Sequence, residues 1–239
     1  MNLPRPFAAF ASFPFLSRSF PDALAARVPF VAIVPFVALA ALGFFALAAA
    51  QAPPRNGPPS AGAHAAPRRP RTLLILDGAY RQVGVTTIYD PRYAVIPFPG
   101  GDVPMERGVC CDVIVRAYRR AGLDLQALVH QDMTQSFASY PRIWGLTKPD
   151  PNIDHRRVPN LATFFTRHGT KLPVSSRASD YDPADIVTWR LWTGATHIGL
   201  VSDRFQDGRP LVVHNVGAGT QIEDVLFAYT VTGHYRYDP

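Results

Sequence analysis

The C-terminal third of the chain alternates in a way that only a sheet accommodates. The runs DIVTWRL (185–191), HIGLVSDR (197–204), RPLVVHNVG (209–217) and VTGHYRY (231–237) are β-branched and aromatic, and turn residues separate them. A hairpin through Phe205–Gly208, which contains Asp207-Gly208, joins the middle two. With an even-length turn, His197 and His214 project from one sheet face as near or diagonal neighbours; an odd turn substitutes Asn215 for His214. Gly199 beside His197 keeps that face shallow, leaving room for a helix to approach.

Upstream the period changes. Val109, Val113, Ile114, Ala117, Tyr118 and Ala121 repeat at helical spacing, which predicts a helix over 109–121 stopped by Gly122. Further helices are expected after Asp124 and from Asn160, an N-cap candidate, to Gly169. The segment 140–160 has four prolines and little periodicity, and a long loop of that kind is more often functional than idle. Helices first and an antiparallel sheet covered on one face make an α+β fold.

The N-terminal 70 residues read differently. Residues 28–50 are 23 apolar residues without a charge, long enough to span a bilayer and ending in Ala48-Ala49-Ala50. Segment 1–50 is a cleaved signal peptide or a retained signal-anchor. Both place the rest in the periplasm or on the extracellular face, and the only membrane contact is this segment. Residues 51–70, rich in Pro, Ala and Gly, form a linker. The folded domain is 71–239. The net charge of +6 is concentrated ahead of it: six basic residues and one acid precede residue 71, leaving 18 basic against 17 acidic. A near-neutral domain has no electrostatic footprint for nucleic acid.

The only two cysteines, Cys110 and Cys111, open the 109–121 helix. A thiol at a helix N-terminus is acidified by unpaired N–H groups and the macrodipole. His197 and His214 are the candidate base and its orienting partner. Helix phase turns Cys110 toward the sheet and Cys111 outward or sideways. A zinc site from these four residues is disfavoured, because adjacent cysteines rarely both ligate one ion and no CxxC spacing exists. No metal or cofactor is expected. The Asp154–Arg157 run (DHRR) reads as a salt-bridged brace, a carboxylate-binding site or idle surface. Asp112, Asp154, His155, Arg156 and Asn215 are the substrate-side candidates.

Cysteine at a helix start, then PADIV (183–187), HIG (197–199) and a strand ending in His214, resembles the NlpC-type branch of papain-like cysteine peptidases. Val109 replaces the aspartate that usually precedes the nucleophile, and Cys111-Asp112 replace Ser-Gly after it. More specifically, IYDP (88–91), PGGDVPMERGVCCDV (99–113), PDPNIDHRRVPNL (149–161) and HNVGAGTQIEDVLF (214–227) resemble the bacterial envelope family called domain of unknown function 1287. The resemblances imply a papain-like/NlpC-like fold and an exported cysteine peptidase or amidase. Cell-wall peptide is the implied substrate, with Cys110, His197 and His214 as the catalytic set. The alternative is a non-catalytic envelope module that binds wall peptide or a protein partner.

Overall fold

The computed structural model describes residues 70–239; the apolar run 28–50 and nearly all of the linker lie outside them. The strands are β1 (Ile88–Tyr89), β2 (Arg107–Gly108), β3 (Thr170–Leu172), β4 (Ile186–Arg190), β5 (Thr196–Gln206), β6 (Arg209–Asn215), β7 (Thr220–Glu223) and β8 (Thr230–Arg236). β1 and β2 pair in parallel. The other six form one antiparallel sheet in the order β3-β8-β4-β5-β6-β7. The helices are α1 (Pro70–Tyr80), α2 (Cys110–Arg120), α3 (Leu125–Ser136) and α4 (Val158–His168). The fold is α+β.

The β5–β6 hairpin sets the register of both histidines. Asp207 and Gly208 turn with φ of 50° and 77°, and Gln206 pairs with Arg209 across them. A two-residue turn with both φ positive matches the right-handed twist of its strands. Between the pairs Val201–Val212 and Phe205–Pro210, β5 has three residues and β6 only Leu211. The bulge therefore adds an even number and preserves parity. Extending the Leu200–Val213 pairing one step sets His214 level with Gly199, diagonal to His197 and on its face.

Both sheet faces are covered, not one. Ile186, Ile198, Leu200 and Val213 pack with the helices, whereas Val187, Trp189, Val201 and Val212 pack with Tyr181 and Leu226 from connecting segments. The Trp189 indole N–H donates to the Leu226 carbonyl at 2.9 Å. The histidines share the second face, and the His197 and Trp189 ring centroids are 5.7 Å apart. A Cβ on Gly199 would come within 2.7 Å of Val212 Cγ1 and 3.1 Å of the Trp189 ring. Gly199 thus makes room for this second layer, not for the helix.

α2 is the central helix. Its residues Cys110 to Tyr118 are all buried, so Cys111 and Arg116 are not outward as the stripe implied. α1 lies against it, and a helix enclosed on all sides loses its polar face. Arg116 compensates by donating to Asp102, Thr86 and the carbonyls of Val103, Pro104 and Arg107, which organises the loop leading to the cysteines. α3 starts after Asp124, whose Oδ1 accepts from the Gln126 N–H at 3.2 Å. α4 begins at Val158 with Arg157 as its N-cap, so Asn160 is not the cap. Asn160 is buried and donates to the Asp154 carbonyl at 3.1 Å instead.

Candidate active site

Cys110 is the first residue of α2. The Val109 N–H before it donates to Asp112 Oδ2 at 2.6 Å, and Asn215 Nδ2 donates to the Gly108 carbonyl at 3.2 Å. The end of β6 is thereby tied to the loop that carries the thiol. Asn215 serves this anchorage, and His214 is the residue that meets His197. β5 pairs with β6 only from Leu200 onward, which leaves the Ile198 N–H to donate to the Cys110 sulfur. The Cys111 thiol and the His197 ring are the other polar groups that act on Cys110. The Cys111 contact, then His197 and the Ile198 N–H, outweigh burial and bring Cys110 from about 9 to about 5. Cys111 moves the opposite way, raised by burial and by the neighbouring Cys110 charge. The two shifts run in opposite directions, so of the adjacent thiols Cys110 is the one favoured as the thiolate.

A line of ring nitrogens continues from the sulfur. His197 Nε2 lies 2.9 Å from His214 Nδ1, and His214 Nε2 lies 2.8 Å from Glu223 Oε2. A carboxylate only accepts, so His214 carries its proton on Nε2 and offers a bare Nδ1. His197 must then donate through Nε2, which leaves its Nδ1 without a proton. Burial, reinforced by the adjacent His197 charge, lowers His214 to about 3, so the middle ring stays neutral. Glu223 was not anticipated from the sequence. His214 pairs with Gln221 and Val212 with Glu223, so alternation along the short β7 places Glu223 on the histidine face.

Beside Cys110 lies a cavity of about 180 Å³, lined by Tyr89, Cys110, Trp144, Arg157, Thr196 and neighbouring residues. The loop 140–160 supplies much of its wall. Burial, then the charges of Cys110, Cys111 and Asp112, raise the Tyr89 phenol to about 12, so it remains a hydrogen-bond donor. A second cavity of about 410 Å³, lined by residues including Ser139, Thr166, Arg167 and Tyr235, contains none of the candidate residues.

The remaining candidates form a scaffold around the helix start. Arg156 grips Asp112 in a fork, Nε to Oδ1 at 2.9 Å and Nη2 to Oδ2 at 3.0 Å, with side-chain exposures of 2% and 3%. It also donates to the carbonyls of Asp90 and Arg92, each at 3.1 Å. Asp154 is buried, accepts from the Asp150 N–H at 2.6 Å and pairs with Arg157 at 3.3 Å; burial raises its pKa. His155 is buried, and burial followed by the Arg156 charge lowers it to about 4, which keeps it neutral. Of this run, Arg156 and Arg157 reach the cavity wall. Among the described residues, no group of three or more His, Cys, Asp or Glu side chains is arranged to hold a metal ion.

Residues 76–237, nearly the whole α+β domain, match the family described as Domain of unknown function (DUF1287). The chain belongs to that family. A relative from Escherichia coli (strain K12), Uncharacterized protein YijF, is 59% identical over 166 residues, which is 69% of this chain and 81% of the relative.

Proposed function

We propose that this protein is a cysteine peptidase or amidase of the NlpC-like, papain-related kind, exported by its N-terminal segment and acting on amide bonds of cell-wall peptide. The Cys110–His197–His214–Glu223 line carries the reading, because it polarises a buried thiol toward ionisation at neutral pH. Cysteine on a central helix before histidines on an antiparallel sheet supports the papain-related assignment. The Cys110 thiolate attacks the amide carbonyl and forms a C–S bond, pushing the π electrons onto oxygen. The Cys110 N–H at the start of α2 stabilises that oxygen, and Tyr89, which lines the same cavity, assists. His197 protonates the departing amine as the C–N bond breaks, leaving a thioester. It then removes a proton from water, which attacks the thioester and releases the acid and the free thiol. Neutral His214 holds the His197 tautomer throughout.

Incubation of the purified full chain with muropeptides, followed by mass spectrometry, tests the reading. New peptide fragments and free amines are expected from wild type and from Cys111→Ser, and loss of more than about 10³-fold from Cys110→Ser. Absence of product from wild type, or equal product from Cys110→Ser, would sink it.

A further inference from the structure

Apart from Cys110 itself, the charged side chains that line the cavity are both positive. Arg156 and Arg157 reach its wall and, among the described residues, no aspartate or glutamate does. The carboxylates that pair with them, Asp112 and Asp154, are buried outside the lining. Arg156 is spent on Asp112 and two carbonyls, but Arg157 is not. Its guanidinium lies over the Trp144 indole, 4.2 Å from the ring centroid, which fixes its plane. One Nη1 bond to Asp154 at 3.3 Å is the only hydrogen bond of the guanidinium among the described residues, although the side chain is just 16% exposed. Cys110 and Val158, the first residues of α2 and α4, also line the cavity, so the positive ends of two helices face it. The volume suits one residue-sized group, well below the roughly 300–1,000 Å³ of sites for larger ligands.

We infer that Arg157, held flat by Trp144, is a specificity residue that binds a free carboxylate of the substrate within about one residue of the scissile carbonyl. A planar fork with spare donors matches a carboxylate in two parallel hydrogen bonds, which the amide of the same shape cannot supply. The substrate class is accordingly a peptide with an acidic residue, or a free carboxyl terminus, next to the bond attacked. This deepens the hydrolase reading and rests on it for the identity of the reacting bond.

The test uses alkylation of Cys110 in the full chain, with no turnover. Iodoacetyl-glycine and iodoacetyl-β-alanine carry a carboxylate at two reaches, and their carboxamides serve as neutral controls. At least one acid is expected to label Cys110 about tenfold or more faster than its amide. Arg157→Gln should collapse that ratio. Arg157→Lys should retain part of it, and Arg177→Gln, at a well-exposed arginine, should retain all of it. A ratio equal in wild type, Arg157→Gln and Arg157→Lys overturns the carboxylate subsite. If labelling is slow with every reagent but the ratio survives and depends on Arg157, the subsite stands and the activated thiolate falls.

Discussion

Replacing His197 with alanine is expected to reduce kcat/KM for amide hydrolysis by about 10³-fold or more, the largest effect of any substitution that spares the nucleophile. The loss has two sources. The thiol proton no longer has an acceptor, and the leaving amine no longer has an acid. His214→Ala should fall between wild type and His197→Ala, because it removes only the acceptor that fixes the His197 tautomer. Glu223→Gln should cost less than about tenfold, since the Glu223 side chain is 46% exposed and its charge is screened by solvent. Steady-state kinetics on a single purified muropeptide give the three values. A loss in Glu223→Gln as large as that in His197→Ala would contradict this ordering along the line.

The second large effect is on stability. Asp112→Ala should destabilise the fold by about 3–5 kcal/mol, because it leaves the Arg156 guanidinium buried without its counter-charge. It also frees the Val109 N–H at the start of α2. Urea unfolding with a common m-value measures the difference. The double variant Asp112→Ala/Arg156→Met should recover much of the loss, as an apolar side chain does not require the missing carboxylate. A cost below about 1 kcal/mol for Asp112→Ala would show that Arg156 finds solvent or another partner there.

What could be read from the sequence was what repeats over a short span. The α2 stripe located its helix to within one residue at each end, and alternation in β5 and β6 placed His197 and His214 on one face. Short elements had no such signal: β3 and β7 have three and four residues, and Glu223 was missed with β7. Enclosure was not readable either. The sequence marks which side of α2 is apolar, but not that α1 closes the other side, so Cys111 is buried where helix phase alone turns it outward or sideways. Long-range polar partners stay hidden for the same reason. Asp112 and Arg156 are 44 residues apart, and no local pattern joins a first-turn aspartate to an arginine in a proline-rich loop. Tyr89, Trp144 and Arg157 meet Cys110 only through the tertiary fold.

Cys110 is expected to be a thiolate at neutral pH because Cys111, His197 and the Ile198 N–H stabilise its charge. Its alkylation rate with iodoacetamide between pH 3.5 and 10, followed in Cys111→Ser by peptide mass mapping and in wild type by fragment spectra, tests this directly. In wild type the rate is expected to rise to a plateau with a midpoint near pH 5, with Cys111 unlabelled across it. In Cys111→Ser the hydroxyl replaces the thiol donor, so an acidic midpoint should persist. A single rise centred near the ordinary thiol value of about 8.5, unchanged by His197→Ala, would contradict it.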